Sequence, residues 1–164
     1  MFHFFKREKE EITEVILNGI TNGKVIPLEQ VPDKIFAKKM MGDGVGFVYE
    51  GEMVCAPCNG TVTMLADTRH AIGMKLDNGA ELLIHVGLDT VNLNGKGLEA
   101  LVRVGDRVKQ GQAMIRIDRI FMKENKIDLT TPMIMMMDDD FTLEIGNNNR
   151  EVNTDSIVMK IYKK

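Results

Sequence analysis

Residues 68–87 read TRHAIGMKLDNGAELLIHVG, and this segment specifies local architecture more strongly than any other part of the chain. Two apolar runs flank Asp77-Asn78-Gly79. These residue types tolerate the positive φ angles that a tight turn between two strands requires. The segment therefore predicts an antiparallel β-hairpin.

The predicted hairpin brings together two of the three histidines in the chain. A loop at Asp77-Asn78 sets His70 directly opposite His85, whereas a loop at Asn78-Gly79 leaves His70 one diagonal away on the same face. An unbulged three-residue loop would put the imidazoles on opposite faces, but three-residue loops usually carry a bulge. We therefore predict that the two Cβ atoms lie about 5 to 8 Å apart.

Short β-type runs separated by Gly, Asn and Asp continue on both sides of the hairpin. This spacing is typical of an all-β fold, and we predict a single-domain antiparallel β-sandwich or barrel with short helical turns. One helical turn should begin with Asp33 as its N-cap and end before Gly42, and another should cover residues 123–126. The predicted strands are residues 15–17, 46–49, 60–65, 71–74, 80–86, 113–117 and 157–162.

The composition of the 164-residue chain restricts the classes of function. Its net charge is −3, it has no long block of one charge sign, and only 5% of its residues are aromatic, which argues against nucleic-acid binding. A membrane span needs about 18 apolar residues, and no apolar run approaches that length. The N-terminus does not resemble a signal peptide. We expect a cytoplasmic protein with reduced cysteines that binds small ligands or proteins.

The N-terminus differs from the rest of the chain. Residues 1–14 are predicted to be a flexible leader, and residues 15–164 a single domain without an internal linker. The leader places Phe2, Phe4 and Phe5 before a charged run. It is interpreted as a frayed end, with a weak amphipathic anchor at the inner face of the membrane as the alternative.

Two chemistries suit the histidine pair, and an accidental contact between strand residues is the plain alternative. A zinc site would need a third ligand, for which Asp89, Cys55 and Cys58 are candidates. A nucleophilic imidazole instead needs to be neutral, and a second imidazole nearby disfavours protonation of both. If Thr68 holds that second ring in one tautomer, the ring N–H can donate to a developing phosphoryl oxygen.

The cysteines and methionines carry weaker signals. Cys55 and Cys58 have the C-x-x-C spacing of a redox pair, but a turn signal rather than a helix follows them, so we interpret them as small buried residues. The methionines cluster at Met40-Met41 and within residues 133–137. They are interpreted as core filling, and the alternative for Met40-Met41, beside Phe36, is an adaptable partner surface.

Five segments, in order between about residues 15 and 162, resemble the glucose-type enzyme IIA of the bacterial sugar phosphotransferase system. The most specific is the Ile-His-Val-Gly-x-Asp-Thr-Val run around His85, with a second histidine fifteen residues upstream. The segments are residues 25–33, 36–44, 70–71, 83–93 and 105–111.

The resemblance implies a β-sandwich of Greek-key character, a barrel-sandwich hybrid, that carries phosphate without a metal or cofactor. His85 would be phosphorylated at Nε2 by the histidine-containing phosphocarrier protein HPr. His70, held by Thr68, would stabilise the phosphoryl group during transfer to a cysteine of an enzyme IIB domain or IIBC permease.

The resemblance also implies a partner surface around His85. Its apolar members would dock the partner, and its aspartates would face basic groups at the rim. Alternatively, the same surface belongs to a regulatory module that binds metabolic enzymes or transporters and is switched by phosphorylation of His85. The implied surface residues are Asp33, Phe36, Met40, Met41, Gly87 and Asp89.

Overall fold

The computed structural model describes residues 11–164 of the chain. The expectation of a frayed or membrane-anchoring leader therefore falls largely on residues that are not described. No helix in the described part is long and apolar enough to cross a bilayer. The strands are β1 (Glu14–Asn18), β2 (Gly23–Pro27), β3 (Gly42–Tyr49), β4 (Met53–Cys55), β5 (Gly60–Leu65), β6 (Ala71–Leu76), β7 (Glu81–His85), β8 (Leu98–Ala100), β9 (Arg107–Val108), β10 (Ala113–Ile117), β11 (Thr131–Met136), β12 (Phe141–Ile145), β13 (Arg150–Val152) and β14 (Ile157–Lys163), and the α-helices are α1 (Lys34–Ala37) and α2 (Arg119–Glu124).

The strands form three antiparallel sheets, which confirms the predicted β-sandwich. The largest sheet has eight strands in the order β13-β2-β3-β11-β7-β6-β5-β9. Two three-stranded sheets have the orders β1-β14-β12 and β4-β10-β8. All seven predicted strands are present, but β2, β4, β8, β9 and β11–β13 were not predicted.

The eight-stranded sheet is apolar on both faces. Successive residues of a strand point to opposite sides, and in β7 Leu82 and Ile84 enter the main core while Leu83 faces outward. The outward face packs under α1 in a second, smaller cluster. Its buried members are Ile26, Leu28, Val31, Phe36, Ala71, Leu83, Leu88 and Ile134.

Helix α1, which the sequence predicted to begin after Asp33, covers this second cluster. The Asp33 side chain accepts hydrogen bonds from the backbone N–H groups of Ile35 (2.9 Å) and Phe36 (3.4 Å), the standard N-cap arrangement. Phe36 is buried against the sheet, whereas Ile35 is 50% exposed. The helix therefore presents an apolar surface both inward and to solvent.

The predicted register of the central hairpin is wrong by one residue. Ala71, rather than His70 or Ile72, lies opposite His85. The loop contains three residues, 77–79, and Leu76 N–H donates to the Ala80 carbonyl at 2.8 Å across it. Gly79 adopts a φ of 92°, as predicted for this turn.

The Asn78 side chain explains the three-residue loop. Its Nδ2 donates to the carbonyl oxygens of Thr13 (3.1 Å) and Ile161 (3.0 Å), and its Oδ1 accepts from Ala80 N–H at 3.1 Å. Asn78 is itself buried. These bonds to chain segments far away in sequence fix the loop length, which local turn propensity does not determine.

Candidate functional site

Both imidazoles lie in one cleft of about 450 Å³ on the outer face of the eight-stranded sheet. The floor comes from β5, β6, β7 and β11, and one wall from α1. Most of the lining is apolar. The lining residues are Asp33, Ile35, Phe36, Met41, Met64, Ala66, His70, Ala71, Leu83, His85, Asp89, Val91 and Met136.

The two imidazoles meet although their residues are not paired in the sheet. Their ring centroids are 4.9 Å apart and the planes are inclined at 73°, an edge-on contact. His70 precedes β6 and follows Arg69, whose φ of 58° turns the chain. The His70 carbonyl accepts a 2.6 Å hydrogen bond from Val86 N–H. The turn, rather than the strand register, therefore returns His70 to the face of His85.

The geometry of His85 determines which ring nitrogen is free. Its Nδ1 lies 2.7 Å from the Gly87 carbonyl oxygen. A carbonyl oxygen can only accept, so Nδ1 carries the hydrogen. In the neutral imidazole the lone pair is then on Nε2, so Nε2 is the ring nitrogen that is available to act as a nucleophile.

His70 is suited to a supporting role. Its Nδ1 is hydrogen-bonded to the hydroxyl of Thr68. Burial, and to a smaller extent the nearby His85, lowers the pKa of His70 from its ordinary value of 6.5. His70 is therefore mainly neutral at pH 7.

We predict that an NMR titration of the His70 ring gives a midpoint below 6.5. The His85→Gln variant should raise this midpoint, but not to 6.5, because burial remains the larger cause. The unfolded chain takes up this proton first as pH falls, so the free energy of unfolding should decrease below about pH 6.5. A midpoint at or above 6.5 in the unmodified chain would contradict the described environment.

Apolar groups surround the two rings. The Phe36 ring lies 5.1 Å from the His85 ring, centroid to centroid, at an interplanar angle of 58°. Leu83, Met136 and the exposed Asp89 also line the cleft. Such a surface can exclude water from the two rings once a second protein covers it.

A family model described as "phosphoenolpyruvate-dependent sugar phosphotransferase system, EIIA 1" matches residues 15–141. The chain belongs to this EIIA family. It is 42% identical over 152 residues to the PTS system glucose-specific EIICBA component of Staphylococcus saprophyticus subsp. saprophyticus, covering 93% of this chain but 22% of that relative. The glucose permease IIA from Mycoplasma capricolum has the same fold, with a TM-score of 0.83, 28% identity, and coverage of 97% of this chain and 99% of that one.

Family membership confirms the resemblance inferred from the sequence. It places the chain among the EIIA components of the phosphoenolpyruvate-dependent sugar phosphotransferase system. A site that offers one free imidazole nitrogen on a partly open apolar face is compatible with such a component.

The EIIA cleft contains most of the residues singled out from the sequence. Asp33, Phe36, Met41 and Asp89 line it together with the histidines. Thr68 and Gly87 lie one hydrogen bond behind the two rings. Met40 is 62% exposed but does not line the cleft.

Several cleft residues of the EIIA domain were not expected. Ile35 and Val91 are exposed apolar residues beside the two rim aspartates. Met64 reaches the cleft from β5, next to the register shift between Val62 and Met64. Ile35 could have been predicted from the sequence, because it is an isoleucine next to Phe36 on a helix with an N-cap residue. No feature of the sequence predicts the register shift in β5 that accompanies Met64.

The cysteines lie apart from the histidine cleft. Cys58 is buried and lines another groove with Val15 and Asp77. Burial raises the pKa of Cys58 to about 12 and also raises that of Cys55, so their thiols are poor nucleophiles at neutral pH. Within residues 11–164, no group of three or more His, Cys, Asp or Glu side chains could hold a metal.

Proposed function

We propose that the chain accepts a phosphoryl group on Nε2 of His85 from the phosphohistidine of HPr and passes it to a cysteine of an enzyme IIB partner. The observation that carries this proposal is the 2.7 Å bond from His85 Nδ1 to the Gly87 carbonyl, which leaves Nε2 with the lone pair. The staphylococcal relative is a glucose-specific component, which supports glucose as the sugar.

Each step is an in-line displacement at phosphorus. In the first, the Nε2 lone pair of His85 forms an N–P bond while the N–P bond of the donor breaks and its electron pair returns to the donor imidazole. In the second, a cysteine thiolate forms an S–P bond and the electron pair of the broken N–P bond returns to Nε2. Positioning and charge stabilisation supply most of the catalysis in phosphoryl transfer.

His70 stabilises the phosphoryl group in this scheme. When the Thr68 hydroxyl donates to His70 Nδ1, the hydrogen of the neutral ring is on Nε2. The centroid separation of 4.9 Å puts that N–H donor next to a phosphoryl group on His85. Because the His70 ring is neutral, it does not repel a protonated imidazole on HPr, which donates the phosphoryl group.

The apolar surface around the histidines serves as the docking site for both partners. Ile35, Met41 and Val91 exclude water, which would otherwise hydrolyse the phosphohistidine. Asp33 and Asp89 at the rim face basic groups of HPr. We assign this function to residues 15–164 and to the cytoplasm.

The open cleft also favours a second role as a regulatory binding module. Its exposed apolar residues can bind a metabolic enzyme or transporter when His85 is unmodified. A phosphoryl group brings about two negative charges to that surface and would disrupt such binding. Pull-downs with and without phosphorylation test this role, and unchanged binding would exclude the switch.

The docking role of the cleft predicts a specific effect for Ile35→Asp. Placing a charge on this half-exposed apolar position should raise the KM for phosphorylated HPr about tenfold, with little change in kcat. Ile120→Asp is the matched control, because Ile120 is 73% exposed in a separate groove beside Arg116 and Glu52. Equal effects of the two variants in steady-state assays would show that the cleft is not the docking site.

Reconstitution tests the whole proposal. The purified chain is incubated with phosphoenolpyruvate, enzyme I and HPr, and a glucose-type IIB domain is then added. We expect phosphate to accumulate on the chain only when all donor components are present and to leave it when IIB arrives. A chain that stays unlabelled would refute the proposal.

A further inference from the structure

Gly87, whose carbonyl oxygen fixes the His85 ring, is held by a side chain behind it. Its N–H donates to the Thr131 hydroxyl oxygen at 3.2 Å. Its φ is 75°, and a Cβ at this position would lie 2.6 Å from Thr90 Cγ2. The position therefore requires glycine, and a glycine keeps a defined orientation only if its neighbours hold it.

The Thr131 hydroxyl uses its full bonding capacity. It donates to the Leu129 carbonyl at 2.8 Å and accepts from Gly87 N–H. A third contact joins it to the Tyr49 hydroxyl at 2.8 Å. Since the only hydrogen of Thr131 is already committed to Leu129, Tyr49 is the donor in this bond. Thr131 is 0% exposed, so water cannot replace any of these partners.

Tyr49 is itself fixed from outside. It is only 7% exposed, and burial raises its pKa to about 12, which keeps its hydroxyl protonated. The Arg119 guanidinium lies 4.8 Å from the centre of the Tyr49 ring. The same group donates to the carbonyls of Tyr49 (2.7 Å) and Gly51 (2.8 Å). Helix α2 thereby anchors the start of a hydrogen-bond chain that ends at His85.

We infer that Thr131 and Tyr49 are positioning residues for phosphoryl transfer, which hold Gly87 so that its carbonyl keeps the hydrogen of His85 on Nδ1. This inference rests on the proposed function of His85. Neither residue touches the reacting atoms. Both act through the Val86–Gly87 peptide, whose N–H Thr131 binds, on the adjoining Gly87–Leu88 peptide, which carries the carbonyl.

The effect of losing the Thr131 hydroxyl depends on the hydrogen bonds that still hold the loop around Gly87. Without the Thr131 hydroxyl, the buried Gly87 N–H has no partner, and relieving this requires the loop to move. Leu88 N–H still donates to the Asp128 carbonyl at 2.8 Å, so the Gly87–Leu88 peptide keeps one anchor. The His85 bond should therefore weaken without being abolished.

Three variants separate a positioning role from a purely structural one. Thr131→Val removes the hydroxyl at nearly constant shape, Thr131→Ser retains it, and Tyr49→Phe removes only the outer donor. The first readout is the ¹⁵N-detected tautomer of His85 in the unphosphorylated chain. The second is the separation of kcat from KM for HPr, and thermal melting checks that each variant folds.

We expect His85 in the unmodified chain to show a single tautomer with hydrogen on Nδ1. Thr131→Val should give a mixture of tautomers and a kcat reduced about tenfold at unchanged KM. Thr131→Ser should restore both readouts, and Tyr49→Phe should lower kcat about threefold, as expected for one neutral hydrogen bond.

A folded Thr131→Val chain with one tautomer and normal kcat would overturn the inference. The inference would also be overturned if Thr131→Val lowered kcat and Thr131→Ser lowered it equally. Failure of the proposed function looks different, because the unmodified chain would then not be phosphorylated at all. The tautomer measurement would still report whether Thr131 orients His85.

Discussion

Replacing His85 by glutamine should reduce phosphoryl acceptance from HPr by at least about a thousandfold, because no other described group offers a free nitrogen at this position. The Nδ1 bond to Gly87 leaves only Nε2 of His85 with a lone pair aimed away from the backbone contact. Glutamine preserves polarity and approximate size but has no nucleophilic nitrogen. The measurement is the rate of ³²P transfer from phosphorylated HPr.

The fold of the His85→Gln chain should be preserved. His85 is half-buried at the end of β7, and the strand pairing does not depend on its ring. A melting temperature within a few degrees of the unmodified chain, together with lost labelling, would assign the effect to chemistry. Normal labelling of this variant would show that phosphate resides elsewhere.

Replacing His70 by glutamine should separate the two half-reactions. The chain should still accept phosphate, because His85 keeps its bond to Gly87. Transfer onward to IIB should slow about a hundredfold, since the fixed N–H donor to the phosphoryl oxygens is lost. A glutamine amide has the donor but not the rigid ring that Thr68 holds in place. Single-turnover rates for each half-reaction test this separation.

Thr68→Val is the companion variant for His70. It keeps the imidazole but removes the hydroxyl that selects its tautomer. We expect a smaller slowing of the transfer to IIB, about tenfold, with acceptance again preserved. If His70→Gln and Thr68→Val slowed acceptance and donation equally, His70 would act in docking or folding rather than on the phosphoryl group.

The sequence specified local features of the fold well. Asp33 predicted the start of α1 because its cap depends on the N–H groups of the next three residues only. Gly79 predicted the hairpin turn because a positive φ is a local property of glycine itself. The register failed because Asn78 bonds to Thr13 and Ile161, which are distant in sequence.

Strands buried on both faces were the main omission. In β11, Met133 enters the main core and Ile134 the second cluster, so the strand lacks the polar alternation that identifies a half-exposed strand. The run of methionines was interpreted as core filling, which holds for Met133 and Met135 but not for Met137, an exposed residue. The sequence analysis did not predict that Met133 and Met135 belong to a strand, β11.

The candidate site was predictable in its chemistry more than in its shape. The contact between His70 and His85 was predicted from the hairpin, but the register used for that prediction is wrong, and the turn at Arg69 brings His70 to His85. The apolar rim was only partly foreseen. Ile35 and Met64 contribute through tertiary placement that no local pattern records.

The most direct test of the central claim is peptide mass spectrometry of the chain after incubation with phosphoenolpyruvate, enzyme I and HPr, at alkaline pH where phosphohistidine survives. We predict one phosphoryl group per chain, located on His85. A phosphoryl group on any other residue, or none under conditions in which HPr is fully phosphorylated, would contradict the account.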